Sequence, residues 1–414
     1  MVDYKKHILA NGLRVIIHQD KSTPMVAVNV VYDVGSRDES PDCTGFAHLF
    51  EHLMFSGSKN VPDFDVPIQM AGGENNAFTN SDMTSFYNVL PAENVETALW
   101  LESDRMQSLG ISLNDFEVQQ KVVVEEFKET CLNEPYGDLM HHMLDMAFES
   151  HPYRWPTIGL VPEHISEAKH ETVTAFYEQF YNPSNAVLVL AGNIDENKGI
   201  DLVQKWFGEI PTMVTTKRKL QQELPQQNLK SKVIKSAVPL PAIYRGYHMV
   251  SRLNPDYYAC DLLSDALGNG RSSRLYQRLH KEKNMFTIID SYISGSFDPG
   301  LFMLEGQPLP HVTISDARAA IVNELESIKA ELIPVDELQK IKNKVESSLE
   351  YAEVNIMHKA QSLAYYELLG NAGLINEEGP SYQKVTSEDI LRVAREIFKE
   401  ENCCEVIYEP TTVS

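Results

Sequence analysis

The feature that most constrains the fold is an order of elements that repeats on either side of a polar stretch. Residues 212–232 (TMVTTKRKLQQELPQQNLKSK) contain Lys, Gln and Pro with almost no apolar periodicity, which is typical of an interdomain linker. The halves before and after it both show strands, then helices, then strands again. A chain of 414 residues also exceeds what one hydrophobic core usually supports. We therefore expect two similar α+β domains, residues 1–211 and 233–414, joined by this linker.

Local patterns predict the elements of each half. Residues 7–19 combine two short strands with the turn Asn11-Gly12, a dipeptide that favours hairpins. Further strands are predicted over 25–34, twice within 76–91, and over 186–192, 242–250, 287–296 and 301–306. Helices are predicted over 46–55, 95–107, 113–130, 198–207 and 257–267. Both halves thus mix strands with amphipathic helices, as an α+β fold requires.

The composition argues against several classes of function. The formal net charge is −23, and so acidic a surface repels nucleic-acid phosphates and anionic lipids. We therefore expect neither nucleic acid nor a membrane among the partners, and no apolar run is long enough to span a bilayer. Residues 1–20 lack the layout of a signal peptide, and the five cysteines form no C-x-x-C pair. We expect reduced thiols and a cytoplasmic protein.

The stretch GFAHLFEHLMFSG, residues 45–57, places two histidines and a glutamate in a short apolar segment. On a helix, one side is covered by the apolar residues at i, i+3, i+4, i+7 and i+8, namely Phe46, Leu49, Phe50, Leu53 and Met54. His48, Glu51 and His52 share an arc on the other side. The two rings lie one turn apart, close enough to bind one ion. The pattern indicates a metal site rather than two core histidines.

His-x-x-Glu-His is the reverse of the zincin helix and is the inverzincin signature. Two imidazoles and one carboxylate leave one position on zinc open for water, whose pKa the metal lowers towards about 7. Glu51 lies between the two histidines, and a carboxylate that does not bind the metal can move that water's proton to the leaving amine. The motif therefore predicts His48 and His52 as zinc ligands and Glu51 as the general base.

A third zinc ligand must come from elsewhere in the chain. Six downstream acidic residues are candidates by type: Glu102, Asp104, Glu117, Glu125, Glu126 and Glu129. In QQKVVVEEFKET, the apolar Val122, Val123 and Phe127 predict a buried side. Glu126 and Glu129 share a different face, one turn apart. Spacing narrows the choice to these two glutamates and leaves it open between them.

These motifs resemble those of the pitrilysin and mitochondrial processing peptidase family of zinc metallopeptidases, in the family's order along nearly the whole chain. The matching segments are ANGLRVIIHQD, VGSRDE, AHLFEHLMFSGS, NNAFTNSDMTSFYNVLP, VVVEEFKET, HPYRWPTIG, YNPSNAVLVLAGNID and GNGRSSRLYQRL. In that family the last zinc ligand is a glutamate in a Val-x-x-x-Glu context downstream of the histidines. The resemblance implies zinc as the cofactor and Glu126 as this ligand, with Glu129 in reserve.

The resemblance also implies a fold and a mode of substrate binding. Family domains are mainly antiparallel sheets backed by helices, and two pairs of domains close as a clamshell around a chamber. This chain resembles one half of the clamshell, which implies a partner subunit and a peptide substrate. In the family an edge strand beside the zinc binds the substrate backbone by strand addition. Its match here is 74–79, centred on Asn76, Ala77 and Phe78, with Phe55 as a wall of the neighbouring pocket.

Two positions depart from the family pattern. Where the family has a second glutamate that orients the metal site, this chain has Gln119, which hydrogen-bonds but supplies no charge. Where active partners have an arginine and a tyrosine that polarise the scissile carbonyl, this chain has His280 and Thr287. We therefore expect a heterodimer in which a homologous subunit supplies the Arg/Tyr pair, with a homodimer as the alternative for the isolated chain.

Two other functions are compatible with the same fold. One is a non-catalytic core or scaffold subunit, in which the zinc motif is degraded, and the intact motif here argues against it. The other is a protein that captures unfolded peptides without cutting them. His141 and His142 are a weak second metal candidate, because adjacent histidines face different sides of a helix. The sequence favours a zinc-dependent endopeptidase acting on peptides or unstructured segments.

Overall fold

The N-terminal hairpin forms as the Asn11-Gly12 turn predicts. Strands β1 (Lys5–Ile8) and β2 (Arg14–Gln19) pair antiparallel on either side of this turn. Gly12 has a φ of +89°, a left-handed conformation that favours glycine over residues with a side chain. The turn therefore sets the register of the first two strands.

The computed structural model describes residues 1–212 and 219–411. Its other strands are β3 (Met25–Tyr32), β4 (Glu74–Thr79), β5 (Thr84–Pro91), β6 (Ala186–Gly192), β7 (Lys230–Ser236), β8 (Ala242–His248), β9 (Phe286–Ile293), β10 (Leu301–Pro308) and β11 (Cys403–Pro410). Its α-helices are α1 (Phe46–Leu53), α2 (Asp65–Met70), α3 (Val95–Gln107), α4 (Leu113–Phe127), α5 (Leu139–Ala147), α6 (Glu163–Ser166), α7 (His170–Phe180), α8 (Glu196–Phe207), α9 (Tyr257–Leu267), α10 (Ile314–Ala330), α11 (Val335–Val354), α12 (Ile356–Leu368), α13 (Glu378–Lys384) and α14 (Ser387–Ile397). The predicted strands and helices are all present, with small shifts at their ends.

The described chain divides into two compact units. Unit 1 comprises residues 1–129, 155–212 with 219–221, and 350–377. Unit 2 comprises residues 130–154, 222–349 and 378–411. Segment 130–154 comes from the N-terminal half of the sequence but belongs to unit 2, and segment 350–377 comes from the C-terminal half but belongs to unit 1. The two units therefore differ from the predicted domains 1–211 and 233–414.

Each unit contains one sheet, and the two sheets share a strand order. The order is β1-β2-β6-β3-β5-β4 in unit 1 and β7-β11-β8-β10-β9 in unit 2, so the two coincide once β1 is left out. The only parallel pairs in these sheets of the described residues are β2 with β6 and β7 with β11, which occupy matching places. The predicted fold of two similar, mainly antiparallel α+β domains is therefore confirmed.

The exchanged segment 350–377 belongs to unit 1 because the sheet of that unit is buried on both faces. Strand β6 (AVLVLAG) has no exposed residue, so it needs apolar partners on either side. One face packs in a core that includes residues of α1, α3, α7 and α8. On the other face, Val31 and Val189 share a core with Leu363 and Ala364 of α12. Helix α12 therefore completes unit 1 although it lies late in the sequence.

The sheet of unit 2, like that of unit 1, is covered by helices on both faces. Helices α9, α10 and α14 contribute to the core on one face of its sheet. On the other face, Met143 of α5 shares a buried cluster with Tyr244 and Val406. This packing explains why segment 130–154 belongs to unit 2.

The predicted linker 212–232 needs a correction at its end. Residues 213–218 lie outside the described residues, and residues 219–229 form neither helix nor strand. Residues 230–232 belong to strand β7, which pairs with β11. Because β7 is an edge strand whose side chains are mostly exposed, its polar composition gave no apolar pattern from which to predict it.

The cysteines and the helices of the described residues bear on two expectations drawn from the composition. Their five cysteines are all free of disulfide bonds, and all except Cys43 are buried. Within the same residues, no helix has both the length and the apolar character needed to cross a bilayer.

Candidate metal centre

The apolar side of α1 is buried as predicted. At most 2% of the surface of Phe46, Leu49, Phe50, Leu53 and Met54 is exposed. Phe50 stacks on Phe176 of α7 with ring centroids 5.7 Å apart, which holds the helix against the core. His48, Glu51 and His52 lie on the other side and are partly exposed. The spacing of the motif therefore separated the buried face from the polar face correctly.

The packing of α1 against α4 brings the two predicted histidines to Glu126. The Nε2 atoms of His48 and His52 are 3.4 Å apart. The Glu126 carboxylate has Oε1 3.6 Å from Nε2 of His48 and Oε2 3.3 Å from Nε2 of His52. One donor atom from each residue lies within 4.8 Å of the other two. Two segments far apart in sequence thus converge on one point.

The donor set fits a zinc ion in spacing and in protonation. Ligand atoms about 2.0–2.1 Å from a tetrahedral zinc lie roughly 3.3 Å apart, close to the separations in this cluster. Burial lowers the pKa of His48, which favours the neutral ring that a metal binds. The hydrogen bond from His52 lowers the pKa of Glu126, which favours the ionised carboxylate. These three side chains could therefore hold the metal.

The structure separates Glu126 from Glu129. Within the described residues, His48, His52 and Glu126 are the only group of three such donors, and Glu129 is exposed outside it. Helix α4 ends at Phe127, and Lys128–Asn133 continues as a π-helix, so the spacing assumed for Glu129 does not hold. The prediction that Val122 is on the buried side was wrong, since it is 43% exposed while Val123 is 1% exposed.

Gln119, predicted to orient the metal site, contacts the segment that follows α1. Its Nε2 donates a hydrogen bond to the Ser56 hydroxyl over 3.0 Å. Ser56 also lines a cavity of about 350 Å³, together with Leu53 at the end of α1 and Asp115 at the start of α4. Gln119 thus connects α4 to the segment after His52 rather than to either ring.

The segment predicted to bind substrate is an edge strand beside the motif. β4 is the last strand of its sheet and contacts α1. Asn76 is exposed, Ala77 and Phe78 are partly buried, and the Ala77 N–H donates to Oδ1 of Asn76 over 2.8 Å. Phe55 packs against Phe86 with ring centroids 6.1 Å apart and is partly buried. Among the described residues, the strand therefore has one unpaired edge next to the helix that carries the two histidines.

His280 and Thr287, found where the family has its Arg/Tyr pair, make local contacts in unit 2. The Nδ1–H of His280 donates to the Phe286 carbonyl over 2.8 Å. The Thr287 hydroxyl donates to the Gln307 carbonyl over 2.9 Å. Neither side chain offers the guanidinium or the phenol that the family has at these positions.

The second metal candidate does not form a cluster in the described residues. His142 contacts Asp138 through Nε2 over 3.0 Å and Lys232 through Nδ1 over 2.9 Å. No group of three donors includes His141 or His142 in the described part of the chain. A lysine ammonium beside the ring also disfavours a bound cation.

Sequence reasoning missed two buried ionisable residues at the ends of α1, Glu39 and Arg105. Glu39 accepts hydrogen bonds from the backbone N–H groups of Gly45 and Ala47, at the start of the helix. Arg105 donates to the carbonyl of Met54, at its end. Gly45 was the one available signal, because a glycine at the N-cap leaves the first turn without a capping side chain of its own.

Two family models match the chain. Residues 14–159 match the model described as insulinase (peptidase family M16). Residues 168–345 match the model described as peptidase M16 inactive domain. The first match contains the histidine motif and Glu126, and the second contains much of unit 2.

Related proteins cover nearly the full length of this chain. The zinc protease PqqE of Helicobacter pylori is 28% identical, over 97% of this chain and 92% of that protein. The uncharacterized zinc protease YmxG of Bacillus subtilis is 25% identical, over 96% of both. A solved structure of a protease from Helicobacter pylori has a TM-score of 0.95 at 27% identity, covering 99% of this chain and 100% of that chain.

A longer protein shares the fold over part of its length. The periplasmic protease PqqL from Escherichia coli has a TM-score of 0.80 at 16% identity, covering 99% of this chain but 48% of that chain. A separate structure of the first half of PqqL is covered to 91%, with a TM-score of 0.78. This chain therefore has the size and fold of about one half of PqqL.

Proposed function

The chain belongs to peptidase family M16, and we propose that it is a zinc-dependent endopeptidase in which His48, His52 and Glu126 hold the metal. The observation that carries the proposal is the convergence of these three donors within 4.8 Å from two separate helices. The relatives named zinc proteases support the choice of metal.

The residues around the cluster have distinct tasks in this proposal. Bound zinc supplies a Lewis acid for attack of water on the peptide carbonyl. Glu51 is the general base: it accepts the proton of the attacking water and passes it to the leaving amine nitrogen. It is suited to this task because it shares a helix face with both histidines, does not belong to the donor group, and is partly exposed to an incoming substrate.

The substrate in this proposal is an extended peptide or an unstructured segment. In the part of the chain that the structure describes, one edge of strand β4 is not covered by another strand, and an extended backbone can pair there as an added strand. Asn76, Ala77 and Phe78 would bind the substrate backbone, and Phe55 would line a side-chain pocket. A folded protein has few backbone groups free for such pairing, so it is a poor substrate.

We further propose that a homologous subunit completes the active site. His280 and Thr287 lack the guanidinium and the phenol that stabilise an oxyanion in the family's active partners. The match to about half of PqqL fits a chain that works with a second, similar half. The expected assembly is a heterodimer, with a homodimer as the alternative for the isolated chain.

The test measures zinc content and hydrolysis of unstructured peptides, for the purified chain alone and with a homologous subunit from the same genome. We expect a single zinc ion per chain and hydrolysis that increases strongly with the partner. Removing the metal with a chelator should abolish cleavage, and added zinc should restore it.

Each contrary outcome overturns a different part of the proposal. Cleavage at an unchanged rate after zinc removal would exclude the metal mechanism, and equal rates with and without the partner would exclude the shared site. Peptide binding without cleavage would favour a peptide-capturing protein. A folded chain that binds no zinc would favour a scaffold subunit.

A further inference from the structure

The first turn of α1 takes its cap from a distant residue. The N-cap Gly45 has a φ of +88°, and a Cβ there would lie 2.8 Å from the Ile158 carbonyl oxygen, so glycine is required. The missing acceptor is Glu39, whose Oε2 accepts from the Gly45 N–H and whose Oε1 accepts from the Ala47 N–H, both over 2.9 Å. Glu39 therefore takes the place of a capping side chain.

Glu39 is itself held in position. It is 1% exposed, and the indole N–H of Trp155 donates to its Oε2 over 3.1 Å and to the Ser36 carbonyl over 3.0 Å. Burial raises the pKa of Glu39 to about 8, and its three N–H donors oppose that rise. Because all three donors point at its two oxygens, the residue acts chiefly as a hydrogen-bond acceptor for the start of α1.

The other end of α1 is held by Arg105. Its Nη1 donates to the Met54 carbonyl over 3.2 Å, while its Nε and Nη2 pair with Glu102 at 2.9 and 2.6 Å. The guanidinium lies 4.1 Å from the ring centre of Phe64 and 4.4 Å from that of Phe86. Arg105 is 1% exposed, so a fixed cation meets the carbonyl end of the helix.

These end contacts matter because no protein group among the described residues fixes the second ring nitrogen of His48. A histidine that binds a metal normally donates its other ring nitrogen to an acceptor that fixes the ring. Nδ1 of His48 is buried, and no group in the described residues hydrogen-bonds to it. Both histidines are on α1 and Glu126 is on α4, so a shift of α1 would move both rings relative to the carboxylate.

We propose that Glu39 and Arg105 are positioning residues of the metal centre, which hold α1 at both ends so that His48 and His52 keep their spacing to Glu126. This inference rests on the proposed function only in that the cluster binds zinc. Neither residue belongs to the donor group, so each acts through the helix.

The test is the zinc dissociation constant of folded variants, measured by competition with a chromophoric chelator alongside thermal unfolding. Glu39→Gln places an amide N–H against one of the three donors, and we expect zinc affinity to fall at least about tenfold. Trp155→Phe removes the indole hydrogen bonds to Glu39 and Ser36 and part of a buried ring, but it leaves the two backbone hydrogen bonds of Glu39 in place, so it should shift affinity in the same direction by less. Arg105→Lys retains the charge but loses the paired geometry, and should also weaken binding.

The matched control is Glu405→Gln in unit 2. Glu405 is fully buried and lies 3.1 Å from Nε of Arg318, so its loss destabilises the chain without touching α1. We expect this variant to lower the unfolding temperature about as much as Glu39→Gln does, while its zinc affinity stays that of wild type. If Glu39→Gln does not fold, Trp155→Phe and Arg105→Lys decide the question.

The outcomes separate this inference from the proposed function. If wild-type protein binds no zinc, the proposed function is wrong. If wild type binds zinc and the folded Glu39 and Arg105 variants bind it equally tightly, the positioning role is wrong. An equal loss of affinity in Glu405→Gln would also overturn it, because general stability would then explain the effect.

Discussion

Units 1 and 2 share a strand order but differ at one matching helix. Helix α1 follows β3 and precedes the edge strand β4, and α9 likewise follows β8 and precedes the edge strand β9. At the spacing where α1 has His48 and His52, α9 has Asp261 and Asp265. The two units thus present the same scaffold with different chemistry.

The partners of these residues differ as well. In unit 1, α4 contributes Glu126 to the two histidines. In unit 2, α11 follows α10 as α4 follows α3 in unit 1, and it contributes Lys344, whose Nζ is 3.8 Å from Asp265 beside a cavity of about 40 Å³. An ammonium group cannot bind a cation, which agrees with the match of residues 168–345 to an inactive domain. The two units share a fold, but only unit 1 brings together three possible metal donors in the described residues, so the side chains rather than the fold set this difference.

The largest expected effect is the loss of zinc affinity when the carboxylate that unit 1 adds to its two histidines is removed. Glu126→Gln removes an anionic ligand, so we expect zinc affinity to fall by more than the roughly 10–100-fold typical of residues that only support ligands, with hydrolysis lost in parallel. Isothermal titration with zinc measures the change. Glu129→Gln, in the π-helical segment that follows α4, and Asp265→Asn, on α9 of unit 2, should both bind zinc as wild type does. A loss in Glu129→Gln with none in Glu126→Gln would reverse the assignment.

The second prediction separates the general base from the metal. Glu51→Gln should lower kcat by about 10²–10⁴, because the amide cannot accept the proton of water, while zinc content and peptide affinity stay unchanged. Peptide hydrolysis in the assembled enzyme and fluorescence anisotropy of a labelled peptide measure the two properties. Equal turnover in this variant would contradict the assignment of Glu51.

The smallest expected effect concerns the carboxylates of unit 2. Burial raises the pKa of Asp261 to about 6, against 3.8 for an unperturbed group. Between these values the folded chain binds more protons than the unfolded chain, so stability falls as pH rises from about 4 to 6. The contribution is at most about 3 kcal/mol. Urea unfolding of wild type and Asp261→Asn across this range measures it, and a difference between the two that does not vary with pH would contradict it.

Local periodicity was sufficient to predict most elements and the two faces of the helix that carries the candidate site. Residues three and four apart share a helix face, so the order of letters alone separated the apolar side of α1 from His48, Glu51 and His52. The Asn11-Gly12 hairpin and the apolar run of β6 were predictable for the same reason, because each depends on neighbours in the chain.

Tertiary packing decided what periodicity left open. Glu126 and Glu129 are alternatives by spacing, and they separate only where α4 packs against α1 and then becomes a π-helix. The exchange of 130–154 and 350–377 between the units depends on sheets that need apolar cover on both faces. Glu39 and Arg105 reach the ends of α1 from distant segments that share no repeat with it.

The chemistry of this chain was therefore present in its sequence, since the identity and spacing of two histidines and a glutamate on one helix already predict zinc and a base. The resemblance already pointed to Glu126, but helical spacing left Glu129 as an alternative, and only the folded chain shows which of the two lies beside the histidines and which residues hold the ends of the helix. The physical reason is that helical periodicity acts over a few residues, whereas a metal site needs donors brought together across many.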